Sequence, residues 1–425
     1  MSSETETTTV TVQPPADGIG ASFDPLGEHL QDPFPFYAKA RAEEPVFFAP
    51  RIQSWCVARH SDVMAVLRDN RTFSSQELIP RPRSLPPDFD DLLDWLYGPA
   101  TMVGFTDEPE HTRIRAVVNT GFTPKAINPF EPSIRRSATR LIDELAGREE
   151  FDAITEFARP LVMSAVLEVV GVPPERHEWL MKWSEQYFVI VTGYHTLDLA
   201  TLRESKRFFM EGMDYVRSLI EQRQANPRQD VISFLVHGEN RGHRLNTEEI
   251  LGQVMALLVA GYETTMNSLA NVVETLLNRR EHWNRFGEDP ALADRVISEC
   301  LRFAGPVSAV FRVTRMDARV GMVDIPAGSL VCMLWGSANH DGEAFDRPDE
   351  FRPERTDDSR NIIFSSGIHY CVGAPLARVI IRVGLSELRR RLPDLRIASG
   401  FTPRYRPLSQ FRALTDLPVC PGASR

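Results

Sequence analysis

A single long helical pattern constrains the fold of this chain more than any other feature of its sequence. Asn246 followed by Glu249 forms a capping box, and the apolar pattern then runs from Ile250 to about Leu277. At about 1.5 Å per residue such a helix is roughly 45 Å long, enough to cross a whole domain. Its middle, LLVAGYETTMNSL, is apolar on nearly every side, so we expect this helix at the centre of a large core.

Four residues in the middle of this pattern are poorly suited to a buried helix: Gly261, Glu263, Thr264 and Thr265. Glycine weakens a helix, threonine hydroxyls bond back to the carbonyl four residues earlier, and a buried carboxylate needs a partner. One interpretation is a packing glycine with back-bonded threonines. Because four such residues lie together, we favour a locally opened helix beside a functional site.

A second signal surrounds Cys371. This residue follows a glycine turn at Gly367 and precedes Gly373 and Pro375, and proline there marks the first turn of a new helix. The free N–H groups and the positive end of that helix stabilise a thiolate, the form that binds a metal or attacks an electrophile. The remaining cysteines lack such flanks and are interpreted as buried, inert thiols: Cys56, Cys300, Cys332 and Cys420.

The composition excludes several classes of protein. With 42% hydrophobic and 25% charged residues the chain is globular, and a net charge of −10 argues against a general nucleic-acid binder. Five scattered cysteines without C-x-x-C spacing argue against a disulfide framework or a zinc ribbon and favour a reducing compartment. Because no stretch approaches about 18 uninterrupted apolar residues, we expect a cytoplasmic protein without a membrane segment.

The order of patterns along the chain predicts one large domain over residues 21–425 after a disordered tail at residues 1–20. An irregular, proline-rich stretch between Ser75 and Pro109 has the length of a functional loop. Further helical patterns cover residues 131–146, 155–170, 176–192, 201–224 and 291–303. Strand patterns cover Trp55–Ala58, a hairpin in residues 318–334 that turns at Pro326–Gly328, and residues 417–421. The expected fold is mainly α with a small β region.

Two of these segments carry motifs that resemble the cytochrome P450 family of haem-thiolate monooxygenases, in its soluble bacterial form. The signature F-x-x-G-x-H/R-x-C-x-G matches from Phe364 through His369 and Cys371 to Gly373. The motif A-G-x-[DE]-T-[TS] begins at Ala260 in the long helix. Both departures from the usual pattern are single residues: Ser365 replaces a common glycine, and Tyr262 is bulkier than usual.

Three further motifs occur in the order that the family has. H-x-x-x-R matches His111 and Arg115, and E-x-x-R matches Glu299 and Arg302. The segment FDRPDEFRPER resembles the meander that supplies a second arginine, here Arg355. Each motif alone is weak, but together they make the resemblance specific over about residues 22–425.

The resemblance implies one non-covalent haem b with Cys371 as the thiolate ligand of its iron. Gly373 would let the backbone approach the porphyrin, Phe364 would pack beside the ligand loop, and Ala260 and Gly261 would border the oxygen side. The implied partners of the haem propionates are His111, Arg115, Arg312 and His369. The implied structural ion cluster comprises Glu299, Arg302 and Arg355.

The resemblance also implies a reaction. Glu263 and Thr264 would be an acid–alcohol pair that delivers protons while one oxygen atom of dioxygen enters a small, largely apolar organic substrate, in secondary metabolism or catabolism. Since the chain has no G-x-G-x-x-G motif and no phosphate loop, two electrons would come from a ferredoxin and its reductase. We expect a monomer. Candidate docking cations are Arg113, Arg378, Arg382 and Arg389–Arg391, and the equally supported alternative is that they are ordinary solvated arginines.

The substrate is not identified by the sequence. The resemblance suggests an apolar lining of Met102, Val103, Phe188, Val189, Leu257, Ala260, Val307, Val310 and Phe411. Two other functions stay open: a haem-thiolate enzyme that uses peroxide or rearranges its substrate, and a haem-binding sensor or carrier. The pair Glu263-Thr264 disfavours both, because neither needs a proton relay.

Overall fold

Helices make up most of the structure. The computed structural model describes residues 18–78, 85–98, 102–193, 197–286 and 290–422. Its helices are α1 (Phe34–Glu43), α2 (His60–Arg68), α3 (Asp90–Leu96), α4 (Glu110–Val118), α5 (Pro124–Ile127), α6 (Glu131–Leu145), α7 (Arg159–Val170), α8 (His177–Gly193), α9 (Leu199–Ala225), α10 (Val231–His237), α11 (Thr247–Leu277), α12 (Arg280–Arg285), α13 (Pro290–Ala304), α14 (Trp335–Ala338) and α15 (Ala374–Arg391). All the helices predicted from periodicity are present. The largest difference is at α7, because a π-helical turn, Ala153–Ala158, precedes it.

The strands are short and form three small sheets. They are β1 (Val46–Ala49), β2 (Ser54–Val57), β3 (Phe73–Ser74), β4 (Phe151–Asp152), β5 (Val310–Thr314), β6 (Ala318–Val320), β7 (Val323–Ile325), β8 (Leu330–Met333), β9 (Arg396–Ile397) and β10 (Pro418–Cys420). The largest sheet has the order β1-β2-β8-β5-β3, the second β4-β10-β9, and the third pairs β6 with β7. The prediction of a mainly α fold with a small β region in one domain is confirmed.

Two local predictions were wrong. The hairpin turns at Gly321, whose φ of 58° is left-handed, and not at Pro326–Gly328, because β8 leaves β7 to pair with β2 and β5. Residues 18–20 belong to the fold and not to a tail: Gly20 is buried, and the Ile19 N–H donates to Glu44 Oε2 at 2.8 Å. Residues 1–17, where disorder was also predicted, lie outside the described residues.

Helix α11 crosses the helical core, as predicted, with α7, α8, α9, α13 and α15 packed around it. The predicted capping box is present: the Asn246 side chain accepts from the Glu249 N–H at 2.9 Å, and Glu249 accepts from the Asn246 N–H at 2.8 Å. Although α11 is long and apolar, no helix in the described part of the chain has the length and hydropathy of a membrane span.

Helices α8 and α9 form a tightly interlocked pair beside α11. A side chain at Gly212 in α9 would place its Cβ 2.1 Å from the indole ring of Trp183 in α8, so only glycine allows this approach. The Trp183 indole N–H donates to the Phe209 carbonyl at 2.6 Å, and the two aromatic rings stack with centroids 5.6 Å apart. The two helices are therefore joined by packing and by a hydrogen bond.

Candidate active site

The loop before Cys371 is shaped by two left-handed residues. Gly367 has φ 68°, and a Cβ there would lie 3.0 Å from the Leu67 carbonyl oxygen, so the turn favours glycine. Ser365 has φ 66°, a conformation unfavourable for a residue with a Cβ. The Cys371 N–H donates to the Phe364 carbonyl at 2.8 Å and closes the loop. The loop therefore holds Cys371 just before α15, as predicted.

The thiol of Cys371 lies at the start of α15, where the N–H groups of Gly373 and Ala374 point toward its sulfur. Burial raises the pKa of the Cys371 thiol above its ordinary value, while these N–H groups and the charge of Arg115 act in the opposite direction. The expected thiolate-stabilising donors are present, but burial outweighs them. A metal ion would supply the remaining stabilisation, since metal binding displaces the thiol proton.

The middle of α11 faces the Cys371 loop. Gly261 and Thr265 of α11 line the same small cavity as Gly373 and Ala377 at the start of α15. No atom lies within 4 Å of the position that a Cβ would take at Gly261. Ala260, although apolar and in the middle of a core helix, is exposed. These observations place an open space between the two segments that carry the strongest motifs.

The predicted opening of α11 is not found. The helix is unbroken from residue 260 to 265, and the Thr264 hydroxyl donates to the Ala260 carbonyl at 2.5 Å. Back-bonding, the interpretation that we did not favour, therefore describes Thr264 in this structure. The carboxylate of Glu263 has the partner that its position requires: Arg406 Nη2 donates to Glu263 Oε1 at 2.6 Å.

Four predicted anion-binding residues lie together next to the Cys371 loop. The rings of His111 and His369 are 4.5 Å apart between centroids, and His111 is only 2% exposed. Neither ring nitrogen of His111 has a hydrogen-bond partner among the described residues. Arg312 is 7% exposed and donates only to the carbonyl of Phe311 within the described structure. Arg115 donates to the carbonyl of Tyr370 and to Asn119 Oδ1.

The charges around this cluster leave positive charge unbalanced. Burial lowers the pKa of Arg312 to about 10, and burial together with the positive charge of Arg312 lowers the pKa of His369 to about 3. The carboxylate next to the cluster, Asp107, is bound to Arg315 at 2.6 Å and to the Ser74 hydroxyl at 2.5 Å. Among the described residues, the buried Arg312 and the half-buried Arg115 therefore have no carboxylate of their own, and an anion fits beside them.

The residues present fit a haem. Cys371 would supply one thiolate, Gly261 and Gly373 would leave room on the two sides, and the cluster with Arg115 and Arg312 would offer donors to two propionates. The unpaired ring nitrogens of His111 are buried groups that such an anion would satisfy. No group of three or more potential side-chain metal ligands occurs in the described residues.

The predicted ion cluster forms a buried network. Arg302 donates two hydrogen bonds to the Glu299 carboxylate, at 2.7 and 2.8 Å, and Arg355 donates two more, at 2.7 and 3.2 Å. The three residues are 1%, 1% and 8% exposed. Arg302 also donates to the carbonyls of Asn339 and Pro348, which ties α13 to the segment before the Cys371 loop.

The predicted substrate residues are only partly brought together. Val307 and Phe411 form an isolated β-bridge, and Leu257 lines the cavity that contains Gly261. Val189 and Val310 are half-buried, Met102 and Val103 are buried, and the side chain of Phe188 lies outside the described residues. The lining of a substrate pocket by these residues stays a prediction.

The predicted docking cations are mostly neutralised. Arg382 pairs with Glu131 at 2.9 Å, Arg390 pairs with Glu387 at 2.6 Å, and Arg391 pairs with Asp143. Arg113 binds Glu110 and Glu249, and Arg389 donates to backbone carbonyls. Arg378 lies over the ring of Phe364, at 4.9 Å from its centroid. Most of this set is paired, as expected for ordinary surface arginines, and its role in docking stays a prediction.

Sequence reasoning missed two contacts of the site. Arg406 lies 143 residues from Glu263, and no motif surrounds it. The Ser75 hydroxyl lies 3.1 Å from His369 Nε2, and its backbone N–H donates to Asp107 at 3.0 Å. Only the position of Ser75 at the start of the irregular stretch signalled a role.

Comparison with known proteins gives consistent matches over most of the chain. The family model described as Cytochrome P450 matches residues 95–392. The biotin biosynthesis cytochrome P450 of Bacillus subtilis is 32% identical over 401 residues, covering 94% of this chain and 98% of that protein. Erythromycin C-12 hydroxylase of Saccharopolyspora erythraea is 36% identical over 386 residues, covering 90% and 93% respectively.

Solved structures share the fold. The structure of P450BioI in complex with hexadec-9Z-enoic acid ligated acyl carrier protein has a TM-score of 0.81 and 31% identity, covering 93% of this chain and 100% of that one. CYP109E1 from Bacillus megaterium in complex with corticosterone has a TM-score of 0.80 and 28% identity, with the same coverage.

Proposed function

The chain belongs to the cytochrome P450 family and is an oxidoreductase of the monooxygenase type, and from this we propose that it inserts one oxygen atom of dioxygen into a small, largely apolar organic substrate in secondary metabolism. The observation that carries the proposal is the shared cavity between the Cys371 loop and the turn of α11 that holds Gly261. The proposal is supported because this cavity is lined by Gly373, two residues after the proposed ligand, and by Gly261, two residues before the proposed acid.

We propose Cys371 as the iron ligand of a haem b, with the propionates held by His111, Arg115, Arg312 and His369. The supporting observation is the pair of buried, unpaired ring nitrogens of His111 beside two arginines without a carboxylate of their own. When bound, the haem supplies the redox chemistry by which dioxygen is activated and one of its atoms is transferred.

The chain's own task in this reaction is to move protons. One oxygen atom of dioxygen leaves as water, so two protons must reach the site in each turnover. The proposed path uses Glu263 as the acid and the Thr264 hydroxyl as the group next to the reacting atoms. Since Arg406 binds Oε1 of Glu263, Oε2 is the oxygen that takes up and releases the proton. Transfer through Thr264 requires that its hydroxyl leave the Ala260 carbonyl.

We propose that the substrate is an apolar molecule that binds beside α11. Leu257, Val307 and Phe411 supply apolar surface, and Met102 and Val103 lie buried near the start of α4. The relatives are named for, or solved with, a macrolide, a fatty acyl group on a carrier protein and a steroid, all largely apolar. An apolar lining binds such molecules mainly through the hydrophobic effect.

Electrons are proposed to come from a ferredoxin and its reductase, with the protein acting as a monomer in the cytoplasm. The free cysteines are compatible with a reducing compartment. Because most of the predicted docking arginines are paired, Arg378 beside Phe364 is the member of that set nearest the Cys371 loop that has no carboxylate partner among the described residues. Its guanidinium is the proposed contact of an acidic ferredoxin.

Reconstitution tests the proposal. The purified, haem-loaded protein is combined with a ferredoxin, its reductase and apolar candidate substrates, and binding is followed by the spectral shift that accompanies loss of iron-bound water. Labelled dioxygen should place one labelled atom in the product. A product formed only with peroxide, or haem binding without any product across a broad substrate panel, would contradict the monooxygenase assignment.

A further inference from the structure

One face of α11 carries a row of polar side chains that its apolar pattern does not explain. Glu263, Asn267 and Asn271 follow at intervals of four residues, and Glu274 comes three residues later. Residues at this spacing lie on one face of a helix, one turn above another. Asn267 is 1% exposed and Asn271 is 4% exposed, so two amides are buried next to the proposed acid.

The polar atoms of this row lack the partners that burial requires. Within the described residues, neither amide atom of Asn267 has a hydrogen bond, and Asn271 Oδ1 has none. Asn271 Nδ2 donates to the carbonyls of Ala304 and Arg412, both at 3.0 Å. Arg406 Nε, on the guanidinium that binds Glu263, is also buried and unpaired.

These atoms border one interface, between α11 and the C-terminal segment 404–415. Arg406 contacts α11 at Glu263, and Arg412 contacts it two turns later at Asn271. Asn267 lies on the turn between these two contacts. The unpaired groups therefore follow one another along this interface, beginning at Glu263, the acid of the proposed relay.

Ordered water is the usual partner of buried polar groups that find none in the protein. Successive members of the row are one helical turn apart, about 6 Å for four residues. Two hydrogen bonds through one water span about 5.8 Å. The spacing of Glu263, Asn267 and Asn271 therefore suits a water between neighbouring side chains, and Glu274, about 4.5 Å beyond Asn271 along the axis, is also within reach of one water.

The far end of the row reaches solvent. Glu274 is half-buried, and its Oε1 accepts a hydrogen bond of 2.6 Å from Nδ2 of the exposed Asn278. Burial raises the pKa of the Glu274 carboxyl, while the charges of Arg279 and Arg412 act in the opposite direction. A carboxyl in this position exchanges protons with bulk water at one end of the row.

We propose that Asn267 and Asn271 hold a chain of ordered waters along α11 that carries protons from the surface at Glu274 to the carboxylate of Glu263. The inference rests on the proposed role of Glu263 as the acid of the relay. In each delivery Glu263 loses one proton from Oε2, and the neighbouring water returns one. The missing proton is replaced by transfer from one water to the next, and the last proton comes from bulk water at Glu274. No electron moves.

The variant Asn267→Leu tests the path. Leucine keeps the branched shape of asparagine but is larger and carries no polar group, so it fills the space that a water would occupy. A melting temperature close to the native value shows that the larger side chain is accommodated. The matched control is Thr275→Val, which also replaces a buried polar side chain of α11, one that is not in the row. Asn267→Ala, which leaves space for a water, should lose less of the turnover rate than Asn267→Leu.

Two measurements are made on the haem-loaded proteins. A high-resolution crystal structure of the native protein should show waters within about 3.2 Å of the Asn267 amide and Arg406 Nε, and Asn267→Leu should lack them. Turnover of Asn267→Leu should fall about tenfold with a larger solvent deuterium isotope effect, while Thr275→Val keeps both native values. The proposed path would be wrong if the native crystal structure showed no waters at these positions, or if Asn267→Leu kept the native rate and isotope effect.

Glu263→Gln separates the path from the function on which it rests. If Glu263→Gln slows turnover while Asn267→Leu does not, the path is wrong and the role of Glu263 stands. If Glu263→Gln turns over at the native rate, the role of Glu263 is wrong and the path has no acceptor.

Discussion

Arg406 and Glu263 form a hydrogen-bonded ion pair of 2.6 Å that joins the C-terminal segment to the middle of α11. Both side chains are partly exposed, at 37% and 28%, so the pair contributes little to stability. Its consequence is positional: the guanidinium holds one carboxylate oxygen and directs the other.

Loss of this pair should slow turnover without loss of haem. In Arg406→Met the Glu263 carboxylate is no longer held, and we expect kcat to fall about fivefold, the factor that corresponds to an ion pair of about 1 kcal/mol. Arg406→Lys should restore part of the rate. The control is Arg404→Met, an exposed arginine of the same segment. Native kcat in Arg406→Met, with an unchanged solvent isotope effect, would show that the pair has no positioning role.

Replacement of Thr264 should uncouple the reaction. Thr264→Ala removes one hydroxyl and one back-bond from a helix interior, where alanine is the better helix former, so the fold should persist. Reductant consumption should continue while product falls and hydrogen peroxide appears. Product and peroxide are measured together per electron pair. Full coupling in Thr264→Ala would remove Thr264 from the proton path.

The ligand assignment has a spectroscopic test. The native protein, reduced under carbon monoxide, should show the strongly red-shifted Soret band of a thiolate-bound haem, and Cys371→His should lose that band while retaining some haem. Cys420→Ser is the control, since Cys420 lies on β10 and not in the Cys371 loop. A native carbonyl spectrum in Cys371→His would refute the assignment.

Breaking the buried ion cluster should destabilise the protein strongly. Arg355→Met leaves the Glu299 carboxylate, which is 1% exposed, with only one of its two arginines. Removing one partner of such a buried network costs about 3–5 kcal/mol. Arg347→Met, a change at a 55% exposed arginine of the same segment, should cost less than about 1 kcal/mol. Urea denaturation compares the two, and equal midpoints would contradict the structural role.

The buried His340 should make stability depend on pH. Burial lowers the pKa of His340, the charge of Arg302 adds to this, and the hydrogen bond with Asp349 opposes it. The folded state therefore binds fewer protons than the unfolded state, so stability should fall as the pH drops below the unfolded pKa of about 6.5. The slope from this one group is at most about 1.4 kcal/mol per pH unit.

Denaturation midpoints at pH 7.5 and 5.5, chosen as roughly one unit on either side of that pKa, measure this effect. His340→Asn should show a smaller loss between the two values than the native protein, although it is less stable at the higher pH because the hydrogen bonds to Asp349 and the Phe303 carbonyl change. An identical loss in both proteins would show that His340 does not titrate in the fold.

Features encoded in short stretches of sequence were predictable. The capping box of α11 needs only Asn246 and Glu249, and the position of Cys371 before α15 follows from the glycines and proline around it. The middle of α11 was harder. A back-bonded Thr264 and an opened helix place the same residues in the same pattern, so periodicity alone cannot separate them.

Contacts between distant segments could not be predicted in the same way. Arg382 and its partner Glu131 are 251 residues apart, and only the packing of α6 against α15 brings them together. Asp143 and Glu249, which pair with two other docking arginines, also come from segments that are distant in sequence. The partner of Glu263 was missed for the same reason.

The close contact between Gly212 and Trp183 restricts how α8 and α9 can move. If one helix moved alone, the Trp183 indole would have to leave the space beside Gly212, and its 2.6 Å hydrogen bond to the Phe209 carbonyl would break. If α8 and α9 move together as one rigid unit, both the packing of the indole and the hydrogen bond are kept. Any displacement of the pair relative to α11 therefore needs bending at the ends of the two helices, and substitutions there should change the mobility of the pair without breaking the contact between Gly212 and Trp183.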